Sequence, residues 1–267
     1  MERDVRIVDI DGLRIRVAVR GVAECPLLLV MGIGGNLDMW PPFERPMRRR
    51  GVATIAYDAP GTGGSTSYPL PKRMRGLTTT VEHLLDSLGR DRVDVLGVSF
   101  GGGIAQQLAH QAPHRVRRLV LAATAPGLGG VPGHPRALLA LATPRRYIDP
   151  EHFTRVAADV YGGKARRDPG GLAVGSPERF AKPPSLMGYL EQMYAVPGWS
   201  SLPWLHRIPH PTLVLAGDDD PIVPVINGRI LAARIPHARL HVVKGGGHLF
   251  LLEEAEEIAD VVADFLA

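Results

Sequence analysis

Cysteine is all but absent: Cys25 is the only one in 267 residues. A single thiol cannot form an intrachain disulfide, so packing alone must hold the fold, and an oxidising compartment gains no support. Long apolar runs are missing too. No segment reaches the ~18–20 apolar residues that span a bilayer, and the opening MERDVRIVDIDGLRIRV lacks the unbroken apolar stretch of a signal peptide. A cytoplasmic protein with no transmembrane segment fits these absences. No His, Cys and carboxylate spacing suits a metal site, so neither metal nor cofactor is expected.

Concentrated basic charge is also lacking. The net charge is +4, but the densest spots, Arg48-Arg49-Arg50, Arg145-Arg146 and Arg166-Arg167, are short and sit on no nucleic-acid-binding element. They read as solvated helix ends and loops, and no nucleic-acid partner is expected. The glycine-rich stretch from Asp58 to Ser65 lacks the Lys-Ser/Thr ending of a phosphate loop, which leaves a structural turn. What is present is ordinary globular material, 45% hydrophobic and 22% charged, enough for one α/β domain carrying an insertion.

Two alternating stretches, residues 5–10 and 13–19, flank Asp11-Gly12, a strong hairpin signal. Apolar runs without alternation follow at residues 27–31, 52–57, 93–98, 116–123, 212–216 and 240–243. Such runs mark strands buried on both faces, hence a mostly parallel sheet covered by helices. Helical patterns at 39–50, 78–88, 100–111, 226–234 and 255–266 fill the gaps. The expected fold class is α/β: a doubly wound, mostly parallel sheet with an N-terminal antiparallel hairpin, helices on both faces and an inserted helical lid. The alternation stops over residues 126–209, which are expected to form the lid, with residues 1–125 and 210–267 as the core.

Gly97-Val98-Ser99-Phe100-Gly101 reads Gly-x-Ser-x-Gly at the end of one buried run and the start of a helical pattern. In that context the serine sits on a tight strand-to-helix turn with its hydroxyl exposed; the blander alternative makes Ser99 a helix N-cap. A serine hydroxyl needs an imidazole to take its proton and a carboxylate to orient the imidazole. Such an elbow on an α/β sheet leads to the expectation of an α/β-hydrolase fold, for which the chain order is Ser, acid, His. His248, after Gly245-Gly246-Gly247 and before the last helix, is the chosen base among ten histidines. Three candidate acids follow the run at 212–216; Asp220 is chosen, because Gly217-Asp218-Asp219-Asp220-Pro221-Ile222-Val223-Pro224 fits a Gly-x-x-Asp-x-x-Val-Pro loop. Asp218 and Asp219 are left as turn formers and solvated charges. The expected oxyanion donors are the backbone N–H groups of Phe100 and of Ile33, the latter in the loop after residues 27–31.

With these motifs the chain resembles the intracellular depolymerases of medium-chain-length poly(3-hydroxyalkanoate). The core pieces of the resemblance are Gly32-Ile33-Gly34, PGTGGS, GVSFGG, LVLAATAPG, PTLVLAGDDDP and GHLFL. Lid pieces extend it: Val131-Pro132-Gly133, Pro144-Arg145-Arg146-Tyr147, Tyr161-Gly162-Gly163, and Gly198-Trp199-Ser200 before Trp204-Leu205-His206. A lid carries substrate choice, so these pieces bear most on chemistry. The resemblance implies an acyl-enzyme ester hydrolase with Ser99, Asp220 and His248 as triad, acting on a storage polyester, with a hydrophobic granule as its surface partner. Met31 stands where that family tends to have Asn, and Phe100 where it tends to have Trp. Substrate contacts are expected from Met31, Met193, Tyr194 and Trp199. The rival readings are a soluble esterase, lactonase or thioesterase on small acyl substrates, and a non-catalytic protein on a hydrolase scaffold. Serine at the elbow disfavours haloalkane dehalogenase and epoxide hydrolase chemistry, which use aspartate there, and polymer synthesis, which uses cysteine.

Overall fold

The computed structural model describes residues 4–267. In chain order its elements are β1 (Asp4–Ile10), β2 (Leu13–Arg20), β3 (Leu27–Val30), α1 (Pro41–Arg49), β4 (Thr54–Tyr57), α2 (Met74–Ser87), β5 (Val93–Val98), α3 (Phe100–Gln111) and β6 (Val116–Ala122). The insertion follows, with helices α4 (Pro135–Ala140), α5 (Pro150–Tyr161), α6 (Gly163–Arg167), α7 (Pro169–Val174), α8 (Glu178–Ala181) and α9 (Leu186–Ala195). The chain then returns to β7 (Thr212–Gly217), α10 (Val225–Arg234), β8 (Ala238–Val243), α11 (Phe250–Glu253) and α12 (Ala255–Leu266).

The strands form one eight-stranded sheet in the order β1-β2-β4-β3-β5-β6-β7-β8. β1 and β2 are the expected hairpin, β2 joins β4 antiparallel, and every pair from β4 to β8 is parallel. The sequence dictates two covered faces. In β3, Leu28 and Val30 join the cluster with Val81 and Leu84 of α2 and Ile104 and Leu108 of α3. Leu27 and Leu29 point the other way, to Phe43 and Met47 of α1 and Ile258 and Val262 of α12. Alternate side chains of a strand face opposite sides, so only a continuous apolar run satisfies both layers.

Several boundaries differ from expectation, among them that of β4, which starts at Thr54 rather than 52. β8 starts at Ala238 rather than 240, because an edge strand is half buried and its Ala238-Arg239-Leu240-His241 stretch alternates. α2 starts at Met74 rather than 78: Arg73 gives no side-chain cap, so nothing in the sequence marks the turn that buries Met74 and Leu77. α1 starts at Pro41 after a separate 3-10 turn, Leu37–Met39, which Asn36 caps through the Asp38 N–H.

β4 lies on one side of β3 and β5 on the other, so the loops leaving β3 and β5 diverge. In open α/β sheets such a divergence opens a crevice at the carboxyl ends of the strands. Among the described residues no helix is long and apolar enough to cross a membrane.

Candidate active site

Ser99 occupies the turn between β5 and α3 with φ 56° and ψ −120°. A non-glycine residue there is strained, at a cost of about 1–3 kcal/mol that the surrounding structure must offset. Two bonds fix it: the Ser99 N–H donates to Ala122 O at 2.9 Å, and Thr124 Oγ1 donates to Ser99 O at 2.7 Å. The flanking glycines are sterically required. A Cβ on Gly97 would strike Gly101 O, and one on Gly101 would strike Val30 O, so any side chain there pushes the elbow off β3 and β5.

His248 and Asp220 arrive from the loops after β8 and β7. His248 Nε2 lies 2.9 Å from Ser99 Oγ, and His248 Nδ1 lies 2.8 Å from Asp220 Oδ2. With the ring proton on Nδ1, the imidazole donates to the carboxylate and accepts from the hydroxyl. The Asp220 carboxylate is buried, and its Oδ1 accepts from the N–H groups of Ile222 and Val223, both at 2.9 Å. Its orientation is therefore set by the backbone of the same loop. The structure thus brings all three residues chosen from the sequence into one hydrogen-bonded chain.

The β3 loop passes close by: a Cβ on Gly32 would lie 3.3 Å from Ser99 Cβ. Neither the Ile33 N–H nor the Phe100 N–H donates to any acceptor among the described residues, which leaves both available to an oxygen beside Ser99. The next peptide unit, Ile33–Gly34, is taken up by the insertion. Tyr147 Oη donates to Ile33 O at 2.7 Å, and the Gly34 N–H donates to Gln192 Oε1 at 2.8 Å. One peptide unit is held from both sides by residues 114 and 158 positions away. Sequence reasoning missed Tyr147 and Gln192, since no local spacing marks them.

The insertion also grips the other two loops. The His248 N–H donates to Tyr161 O at 2.7 Å. Gly163 packs on Gly247, and Gly162 on Asp219 O, so closely that neither could carry a side chain. Asp218 and Asp219 do more than the sequence reading allowed. Asp218 Oδ1 accepts from the Gly245 N–H at 2.6 Å, bracing the loop before His248. Asp219 accepts from the Gly163 N–H at 2.7 Å and pairs with Arg166 at 3.1 Å. Partial burial pushes the Asp219 carboxyl up, but Arg166 and that N–H outweigh it and hold it below the usual range.

Ser99 and Ile33 line two spaces. One is a closed cavity of about 60 Å³ walled by Met31, Met39, Trp40, Tyr147, Tyr161 and Leu251. The other is an open apolar cleft of about 340 Å³ walled by Met74, Phe100, Leu138, Met193, Val196 and Trp199. Of the four expected contact residues, Met31 lies in the first and Met193 and Trp199 in the second. Tyr194 lies in neither: it is half exposed on the outer side of α9, with the Arg73 guanidinium 4.0 Å over its ring. Three and four residues earlier on the same helix, Glu191 and Leu190 show how quickly α9 turns from buried to exposed. Among the described residues no cluster of His, Cys and carboxylates could hold a metal ion.

The family profile for the α/β-hydrolase fold matches residues 26–255. The chain is 47% identical to a poly(3-hydroxyalkanoate) depolymerase of Ectopseudomonas oleovorans, over 98% of this chain and 92% of that one. It is 32% identical to a 2-hydroxymuconate semialdehyde hydrolase of Pseudomonas sp. (strain CF600), over 92% and 88% of the two chains. A crystal structure of a hydrolase from Pseudomonas aeruginosa PA01 superposes with a TM-score of 0.82 at 30% identity, covering 99% of this chain and 98% of that one. The chain belongs to the α/β-hydrolase family, within the group that includes poly(3-hydroxyalkanoate) depolymerase, and is a hydrolytic enzyme.

Proposed function

We propose that the protein is a serine hydrolase that cleaves medium-chain-length poly(3-hydroxyalkanoate) through an acyl-enzyme. The Asp220–His248–Ser99 chain, set where a closed cavity meets an open apolar cleft, carries this reading. His248 takes the Ser99 proton as Oγ attacks the ester carbonyl, while Asp220 holds the imidazole in the required tautomer. The carbonyl oxygen becomes an oxyanion held by the Ile33 and Phe100 N–H groups. The alcohol leaves with the proton from His248, and water activated by the same imidazole then frees the acid. Met31, Met193 and Trp199 bind the alkyl side chains.

Residues 126–209 act as a lid over a core formed by 1–125 and 210–267. Six side chains of this insertion, Leu128, Leu139, Ile148, Val174, Leu186 and Met187, are apolar and more than half exposed. Apolar exposure of this kind suits an apolar surface, here a polyester granule in the cytoplasm. The name of the 47% identical relative supports the polymer as substrate.

The test is twofold. A fluorophosphonate probe is expected to label wild-type protein and not Ser99→Ala, and the variant is expected to lose ester hydrolysis; retained hydrolysis would end the serine mechanism. Turnover of medium-chain polymer granules is expected to exceed that of short p-nitrophenyl esters at equal ester concentration. The reverse ranking would make it a small-ester hydrolase.

A further inference from the structure

Two arginines of the insertion are buried without a counter-charge. Arg146, in the 3-10 turn Pro144–Tyr147, and Arg179, in α8, are each 2% exposed, and among the described residues neither is ion-paired with a carboxylate. Their faces are covered by aromatic rings. They share the Tyr147 ring, which is 4.7 Å from Arg146 Cζ and 5.0 Å from Arg179 Cζ. Tyr189 covers Arg146 at 5.3 Å, and Phe153 covers Arg179 at 4.8 Å.

Their edges are less complete. Arg146 donates from Nη1 to Tyr189 Oη at 2.7 Å and to Thr143 O at 3.2 Å, and Arg179 donates from Nη1 to Tyr161 Oη at 3.3 Å. Both Nε atoms are sealed without an acceptor, and neither Nη2 donates to a protein group among the described residues. A cation–π contact contributes ~1–2 kcal/mol, whereas desolvating an ion costs several kcal/mol. Glu253, which with Arg179 lines a neighbouring cavity of about 350 Å³, makes no ion pair with it. Two guanidinium groups therefore lack an anion, and both line the closed cavity beside Ser99 and His248.

We propose that Arg146 and Arg179 form a carboxylate-binding site at the closed end of the cavity, so that the enzyme works from the free carboxyl end of a hydroxyacyl chain. The proposal rests on the ester hydrolysis argued above. A cavity of about 60 Å³ excludes a polymer segment but suits the acid end of a terminal unit, while the chain extends along the open cleft. In each cycle Ser99 Oγ bonds to the ester carbonyl carbon of the penultimate unit, and the bond from that carbon to the terminal unit's alkoxy oxygen breaks. That oxygen takes the proton from His248, and the terminal hydroxy acid leaves with its carboxylate on the arginines. One water hydrolyses the acyl-enzyme and generates a new carboxyl end, one unit shorter.

Binding to Ser99→Ala protein, measured by calorimetry with 3-hydroxyoctanoate and with its methyl ester, reads the site without turnover. A charge-assisted hydrogen bond contributes ~1.5–3 kcal/mol, so the acid is expected to bind about 10–100-fold tighter than the ester. Adding Arg146→Gln or Arg179→Gln is expected to pull that ratio toward one. Equal affinity of acid and ester for Ser99→Ala overturns the proposal even if the arginine variants do not fold, as does full discrimination in folded arginine variants. Neither result touches the hydrolase reading, which stands or falls on turnover by the wild-type protein. With that protein, oligomers whose carboxyl end is methylated are expected to react at least ~10-fold more slowly than free acids.

Discussion

The sheet core and the inserted helices serve the site differently. Ser99, Asp220 and His248 all leave the carboxyl ends of core strands, and the core orients two of them itself: Ala122 O and the Thr124 hydroxyl hold Ser99, and the Ile222 and Val223 N–H groups hold Asp220. The insertion supplies none of these three. It supplies Tyr161 O to the His248 loop, the Gly163 N–H to Asp219, and Tyr147 with Gln192 to the Ile33–Gly34 peptide. The three residues proposed to react therefore come from one region, and much of what positions the loops around them comes from the other. The position of the insertion is therefore coupled to the site: moving it away would break the bonds that hold the Ile33–Gly34 peptide.

Adjacent aspartates give the sharpest test of this division. Asp220→Asn leaves a group of the same shape but reverses what His248 Nδ1 is offered, and kcat is expected to fall by about 10³–10⁴. Asp219→Asn loosens only the tether to Gly163 and Arg166 and is expected to cost less than ~10-fold, because an exposed ion pair contributes no more than about 1 kcal/mol. Equal losses in steady-state assays of the two variants would erase the distinction between core and insertion at this loop.

The clamp on the loop proposed to hold the oxyanion comes next in size. Tyr147→Phe removes the bond to Ile33 O, and Gln192→Leu removes the acceptor for the Gly34 N–H. Direct loss of an oxyanion donor costs about 10²–10³ in kcat; loss of a group that positions the donor is expected to cost about 10–100-fold, with KM little changed. Since both side chains hold one peptide, the double variant should lose less than the product of the single losses. A rise in KM at constant kcat would mean that they only shape the pocket.

The same division governs how much the sequence reveals. β3, β4 and β7 are legible because burial on both faces leaves an unbroken apolar run, and the elbow is legible because its glycines are sterically forced within five residues. β8 is truncated in the reading because an edge strand is half covered and alternates. Within the insertion, periodicity gives way to short helices and turns, so the facing of each side chain depends on contacts distant in sequence. Tyr194 was expected in the site for its aromatic character and lies outside it, while Gln192, two residues before it, reaches Gly34. Composition singles out aromatic residues in such a segment, but only tertiary packing decides which of them face Ser99.

The last expected effect is on stability rather than on rate, and it lies where the two regions meet. Glu253, on α11 of the core, has both carboxyl oxygens sealed without partners, and burial pushes it from its ordinary value near 4.5 up to about 7. Lys164, Arg167 and Arg179 of the insertion pull it down, and Glu254 adds a smaller upward push, but burial dominates. The folded protein thus favours the neutral acid. For an acid whose value is raised on folding, the unfolded state binds fewer protons across that interval, so stability is fullest below about pH 4.5 and falls as pH rises to about 7. The total fall is on the order of 3 kcal/mol, at ~1.4 kcal/mol for each pH unit. Glu253→Gln keeps a neutral side chain at every pH, so the variant should melt several degrees above wild type at pH 8, by ~2–4 °C per kcal/mol for a chain of this size, and close to it at pH 4.5. Thermal melts across that range decide the matter. Parallel curves for the two proteins would mean that the insertion's cations already neutralise Glu253, and that Arg179 has a counter-charge after all.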